Sequence, residues 1–162
     1  MGLGTEMTSF EVRAIGWVSS DLKDLKSAPR QADEGAPEAW LVFDPEMSEG
    51  LQNLKCGDRI LVLTWLDRAR RDILRVHPRE DTSRPLEGVF STRAPHRPNP
   101  IGLHPVEITA IEGLRLRVRH LEALDGTPII DRETHPQRRS QPTLSKGDVP
   151  QRHNQQDLSA SA

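Results

Sequence analysis

The chain has no tyrosine and a single cysteine, Cys56, in 162 residues. A lone cysteine excludes an internal disulfide and any multi-cysteine metal site, and the six histidines show no i,i+4 pair and no nearby carboxylate arrangement typical of a zinc site, so no metal is expected. Long apolar runs are also missing: none approaches the roughly 20 residues a membrane helix needs. The N-terminal stretch lacks the apolar core of a signal peptide, and Glu6 stands where a myristoylation signal carries Ser or Thr. A cytoplasmic protein is therefore expected. Neither sign of charge dominates, with 22 Lys+Arg against 24 Asp+Glu and a net charge of −2. That excludes a uniformly basic nucleic-acid coat but leaves room for a local patch.

Such a patch is present. Residues 1–58 carry 5 basic and 11 acidic side chains, whereas residues 59–119 carry 12 basic and 7 acidic. Every basic residue of the middle third is Arg, the better fork for phosphate. Either an anionic partner or a solvated face accounts for Arg68, Arg70, Arg71, Arg75 and Arg79.

Strand signals outnumber helix signals. Phe10-Val12-Ala14 alternates with Glu11 and Arg13, and Leu114-Leu116-Val118 alternates with Arg115, Arg117 and Arg119. Ala39–Phe43 is a short apolar run stopped by Asp44-Pro45, and Ile60–Leu66 reads as a central strand buried on both faces. Val106–Ile111 precedes the arginine strand, with a tight turn at Glu112-Gly113, while Gly88–Ser91 and Pro128–Asp131 complete the set. Helices fit only at Pro45–Leu51 and Asp67–Asp72. The expectation is an all-β fold: a small closed or partly open β-barrel with one or two short helices. Its domain spans residues 10–136, between a flexible N-terminus at 1–9 and an extended polar tail at 137–162. The six aromatics fall in or beside strands and are expected in the core, as is Cys56.

One segment does not read as scaffold. Arg93–Pro105 holds Pro95, Pro98, Pro100 and Pro105, which cannot donate ladder hydrogen bonds and hold their predecessors extended. A stiff loop presenting Arg93, His96, Arg97 and Asn99 suits a ligand cradle, and Gly102 allows close backbone approach.

The stretch Gly88–Leu103, GVFSTRAPHRPNPIGL, closely resembles the signature G-V-F-A-T-R-S-P-x-R-P-N-P-I-G-L of the TsaA-like family, whose best-known members are the TrmO-type tRNA methyltransferases. Ile15-Gly16 with Ser19-Ser20, Ala28-Pro29-Arg30-Gln31, and Asp125-Gly126-Thr127-Pro128-Ile129-Ile130-Asp131 resemble further family elements in the same order, so the resemblance covers about residues 10–136. It implies a β-barrel that binds S-adenosylmethionine, works as a homodimer with the cofactor near the subunit interface, and methylates the exocyclic amine of threonylcarbamoyl-adenosine in tRNA. The chain departs from the pattern at Gly57-Asp58 (family Ser-His), Leu66-Asp67 (His-Gln), Glu122 (Asp) and Arg132–His135 (Ile-Lys-Pro-Tyr). A longer member's C-terminal domain has no counterpart in it.

Methyl transfer from a sulfonium is an in-line displacement, so alignment is the main demand. The resemblance implies cofactor contacts from Pro29, Arg30, Gln31, Asp67, Arg93, Leu103 and the stretch His120-Leu121-Glu122-Ala123. Arg30 and Arg93 suit the cofactor carboxylate, and Glu122 or Asp67 suits its ribose or sulfonium. Arg97, Asn99 and Gly102 position the loop. If the acceptor is an amine, its proton goes to Asp125, to Glu122, or to water after the methyl moves, and the sequence compels no single general base. A small-molecule or other RNA acceptor, or a non-catalytic binding role, remains open on these residues. If RNA is the partner, Arg115, Arg117, Arg119 and the segment 68–79 would touch phosphates.

Overall fold

Alternation along six strands builds the core. The structure is a computed structural model and describes residues 8–24 and 38–135. Strands β1 (Gly16–Ser19), β2 (Ala39–Phe43), β3 (Arg59–Trp65), β6 (Ile101–Glu112), β7 (Arg115–Arg119) and β8 (Pro128–Thr134) form a closed barrel in the order β1-β2-β7-β6-β3-β8. Strand β8 pairs with both β3 and β1, so no edge is left by an open sheet. Two short strands, β4 (Arg75–Val76) and β5 (Glu87–Gly88), make a separate ribbon within the β3–β6 connection.

Every second residue points inward. Val18, Ala39, Leu41, Phe43, Ile60, Val62, Val106, Ile108, Leu116, Val118 and Ile129 form the interior, closed by Leu121 and Ala123. The arginines of β7 point outward, as their alternation predicts. Gly113, at φ +58, sits in the turn between β6 and β7. The turn residues are Gly113-Leu114, one position later than expected, and the Leu114 carbonyl accepts from the Phe43 N–H at 2.9 Å.

Several expectations are corrected. Phe10–Ala14 forms no strand; Phe10 is 84% exposed, and pairing begins at Gly16, because alternation without a partner strand supplies no ladder. Pro45–Leu51 is a 3₁₀ helix, and Asp67–Asp72 is a run of turns. Gly88–Ser91 splits between β5 and a 3₁₀ turn at Val89–Ser91. The proline loop ends at Pro100, since Ile101–Pro105 already pairs with Leu61–Trp65 as the start of β6. Pro105 is tolerated there because β7 joins β6 only from Glu107 onward, leaving an edge without a ladder to interrupt. Strand β3 is buried only on its inner face; its outer residues Leu61, Leu63 and Trp65 are part-exposed. Of the aromatics, Phe43 alone is in the buried core, and Cys56 is exposed in the turn before Gly57.

Registry sets the two ends of the barrel. Ser19 faces Trp40, Trp65 faces Ile101, and Arg119 is followed by the connection to Pro128, so the β1–β2, β3–β6 and β7–β8 connections leave from one end. The segment 44–58 and the Gly113 turn occupy the other.

Candidate functional site at one end of the barrel

The three connections at this end carry the expected site residues. Pro29, Arg30 and Gln31 lie outside the described residues. Asp67, Arg93, Arg97, Asn99, Gly102, Leu103, His120–Ala123 and Asp125 are all on the other two connections or the adjoining start of β6.

Arg97 organises the proline loop. Its guanidinium donates to the carbonyls of Ala94 at 2.9 Å, Thr92 at 2.8 Å and Val89 at 3.1 Å. Three carbonyls converging on one planar fork fix a loop whose prolines supply few N–H groups of their own. Asn99 is exposed, and its carbonyl accepts from the Ile101 N–H at 2.8 Å. The Leu66 N–H donates to the Pro100 carbonyl at 2.8 Å, joining the end of β3 to the end of the loop.

Arg93 and Leu103 are neighbours through the backbone. The Arg93 guanidinium donates to the Leu103 carbonyl at 3.0 Å, and both side chains are exposed, Leu103 by 49%. An apolar surface and a cation are thus presented side by side. Asp67 is exposed just beyond β3, its N–H donating to the Trp65 carbonyl at 2.9 Å.

The β7–β8 connection is built differently. His120 adopts a left-handed backbone, φ 69, that turns the chain out of β7. Leu121 and Ala123 then point into the core, while Glu122 between them is half-buried. Only the backbone of Leu121 and Ala123 is therefore available to a ligand. Asp125 is fully engaged: one oxygen accepts from the Ser20 N–H at 2.9 Å and the other pairs with Lys23 at 2.7 Å. The Lys23 ammonium and the Ser20 N–H hold its carboxyl below the usual carboxylate range. The Asp125 and Gly126 N–H groups donate to Leu22 and Val18 at 2.8 Å and 2.7 Å, strapping the exit of β1 to this connection. Asp125 thereby places the chain that leads toward Pro29–Gln31. Arg68 reaches the same strap through the Lys23 carbonyl at 3.4 Å.

Residue-level reading of the sequence missed four contacts: Thr64 with His104, His96 with the Arg70 N–H, Arg71 with the Pro98 carbonyl, and Ser20 with Asp125. His104 carried a signal, because it falls on the inward register of Val106 and Ile108. The other three join distant loops and carried none. No group of three or more metal-ligating side chains occurs among the described residues.

The departures from the family pattern divide between the ends. Leu66-Asp67 and Glu122 lie at the site end. Gly57-Asp58 lies at the opposite end, where the Asp58 carboxylate accepts from the Lys55 N–H at 2.9 Å. Arg132–His135 also runs toward that end, with Thr134 beside Ile60.

Comparison with known proteins identifies the family and the fold. Residues 17–137 match the tRNA-methyltransferase O N-terminal domain. An S-adenosyl-L-methionine-binding protein of Archaeoglobus fulgidus is 45% identical over 120 residues, covering 74% of this chain and 85% of that protein. A second protein of that organism, a probable S-adenosyl-L-methionine-binding protein, is 41% identical over 125 residues, but this chain spans only 34% of its length. The crystal structure of TrmO from Pseudomonas aeruginosa superposes with a TM-score of 0.64 at 28% identity, covering 80% of this chain and 57% of that one. By sequence and by fold, the chain belongs to the family of the tRNA-methyltransferase O N-terminal domain.

Proposed function

We propose that the protein binds S-adenosylmethionine at the loop end of the barrel and transfers its methyl group to the exocyclic amine of threonylcarbamoyl-adenosine in cytoplasmic tRNA. The observation that carries this reading is that Arg93 and Leu103, bonded through the Leu103 carbonyl, lie at the same end of the barrel as Asp67 and the 120–125 connection. The donor set fits the cofactor's chemistry: a cation for its carboxylate, carboxylates for its ammonium and ribose, and an apolar face for its adenine. Bound there, S-adenosylmethionine supplies a methyl group already activated on sulfur. Arg93 holds the cofactor carboxylate and Asp67 its cationic side, while Leu103 and the His120–Ala123 backbone cover the adenine. Pro29, Arg30 and Gln31 join this set by family resemblance. Glu122, half-buried on the 120–125 connection, takes the acceptor's proton; Asp125, held ionised by Lys23, anchors the loop and is the second carboxylate within the same connection.

The active form in this proposal is a homodimer. Paired residues Leu61–Pro105, Leu63–Leu103 and Trp65–Ile101 put an apolar strip on the barrel's outer face. It runs up to Arg93, so a second copy docked there would complete the cofactor site.

A second reading, binding without turnover, is favoured by the engagement of both Asp125 oxygens. Titration with S-adenosylhomocysteine tests binding. Single-turnover methyl transfer to tRNA with and without the threonylcarbamoyl group separates the two readings. No heat at millimolar ligand overturns both, and binding without transfer leaves the second. Transfer to the unmodified tRNA alone overturns the assigned acceptor.

A further inference from the structure

His96 fills the one position that the family signature leaves variable inside its proline-rich stretch, between Pro95 and Arg97. Its contact is specific. The Arg70 backbone N–H donates to His96 Nδ1 at 2.9 Å. A ring nitrogen that accepts carries no proton, so this bond uses the Nδ1 lone pair and leaves the ring hydrogen to Nε2. One residue further on, Arg71 Nε donates to the Pro98 carbonyl at 3.0 Å while its guanidinium lies 5.4 Å from the Trp65 ring centroid. At the base, the Leu66 N–H reaches the Pro100 carbonyl. Three bonds thus zip the 66–71 turn along the outside of the 96–100 segment. The turn carries Asp67, and the segment carries the prolines that set where Arg93 and Leu103 stand.

We infer that His96 is a positioning residue: its Nδ1 latches the Asp67 turn to the proline loop, fixing the distance between the carboxylate and the Arg93–Leu103 surface. The inference rests on the cofactor reading above for its consequence, though not for the latch itself. The turn's own backbone bonding is sparse: the Ala69 N–H donates to the Leu66 carbonyl at 3.0 Å, while the Arg70 N–H leaves the turn for His96. The neighbouring charges are already committed. Arg70 pairs with Asp72 at 2.6 Å, and Arg97 is held by its three carbonyls. A residue offering no acceptor at the Nδ1 position leaves the Arg70 N–H to water and the turn tied to the proline loop only by Arg71 and Leu66.

Three substitutions separate an acceptor from mere bulk. His96→Asn places an amide oxygen near the Nδ1 position, His96→Gln places it one bond further out, and His96→Ala removes it. In the ¹⁵N spectrum of wild-type protein, His96 should show an unprotonated Nδ1 coupled across the hydrogen bond to the Arg70 amide. The Arg70 amide should exchange faster with solvent in His96→Ala and His96→Gln, and near the wild-type rate in His96→Asn. Affinity for S-adenosylhomocysteine should follow the same order, about five- to tenfold weaker in the first two and within twofold in the third. A protonated Nδ1, unchanged Arg70 exchange in His96→Ala, or equal behaviour of Asn and Ala overturns the latch. A freed Arg70 amide with unchanged affinity overturns its positioning role. If wild-type protein binds no S-adenosylhomocysteine, the cofactor reading fails, and the positioning role falls with it, while the nitrogen signals and Arg70 exchange still decide the latch.

Discussion

Thr64 Oγ1 lies 2.9 Å from His104 Nε2 inside the site end of the barrel, a polar pair beside an apolar core of aliphatic side chains and Phe43. The pair occupies the space that Gly102 leaves. A Cβ on residue 102 would stand 2.5 Å from both Thr64 Oγ1 and His104 Nε2. Thr64 is fully buried and cannot swing aside.

Gly102→Ala should therefore destabilise the fold by overpacking, by about 1–3 kcal/mol. The measurement is the urea midpoint of wild type and variant. The cost should shrink in a Thr64→Ala/His104→Ala background, where both obstructing atoms are gone. An equal cost in that background would show that the backbone, rather than the polar pair, requires the glycine.

Burial, helped by the nearby Arg93 charge, pushes the His104 imidazole down from 6.5 to about 4. The unfolded chain then binds the proton more readily than the folded one. Stability is full above pH 6.5 and falls as pH drops toward 4, by about 3 kcal/mol in total at about 1.4 kcal/mol per unit. Stability curves at pH 7 and pH 4.5 should show that loss in wild type. His104→Gln should flatten it, because glutamine keeps a polar partner for Thr64 without titrating. An unchanged acid slope in the variant would assign the loss to carboxylates such as Asp125.

Arg97→Lys should loosen the proline loop. A single ammonium cannot reproduce the fork that meets Val89, Thr92 and Ala94, and charge-assisted bonds of this kind are worth roughly 1.5–3 kcal/mol when lost. The melting temperature should fall, with faster amide exchange concentrated in residues 89–97. A uniform rise in exchange across the barrel would instead point to a global effect.

The barrel was legible where side-chain period and strand pairing agree. Leu116-Val118 against Arg115-Arg117-Arg119 gave strand β7 and its facing, and Ala39–Phe43 gave β2 to the residue. Phe10–Ala14 has the same period but no neighbour, so periodicity alone misled. The outward aromatics were misread for a related reason. Trp17 and Trp40 sit at outward positions of short strands, where propensity favours them without burial, and Trp40 lies under Arg115 at 4.4 Å. At the site, the Gly88–Leu103 motif located the loop. The loop-positioning role expected of Arg97 is the one its three carbonyl bonds give it, whereas the His96 contact was not readable, because it is made to a backbone N–H that every residue type but proline carries.

The apolar strip of β3 and β6 should mediate self-association. Leu103→Asp puts a carboxylate on its most exposed residue of known exposure, 49%, opposite Leu63. Sedimentation at tens of micromolar should show wild type at twice the chain mass of 18.2 kDa and the variant at the chain mass. Wild type sedimenting as the single chain removes the homodimer from the proposal.

The outward arginines of β7 should contribute little to RNA affinity despite their spacing. Arg119 pairs with Glu107 at 2.7 Å, and Arg117 lies 3.5 Å from Glu38. Arg115 and Arg117 both lie over Trp40, with their charge centres 4.4 Å and 5.7 Å from its ring centroid. An arginine already opposite a carboxylate releases few counterions when a phosphate replaces its partner. Each phosphate neutralised on a single strand steepens the log–log salt dependence by about 0.7, so three free arginines would account for about 2. Replacing Arg115, Arg117 and Arg119 together with Gln should flatten the slope of tRNA binding by less than about 0.7, the share of Arg115 alone. Cofactor affinity should not change, since the face lies on the barrel wall and the candidate site at its end. A flattening near 2 would place the RNA backbone along β7 and require both carboxylates, Glu38 and Glu107, to give up their partners on binding.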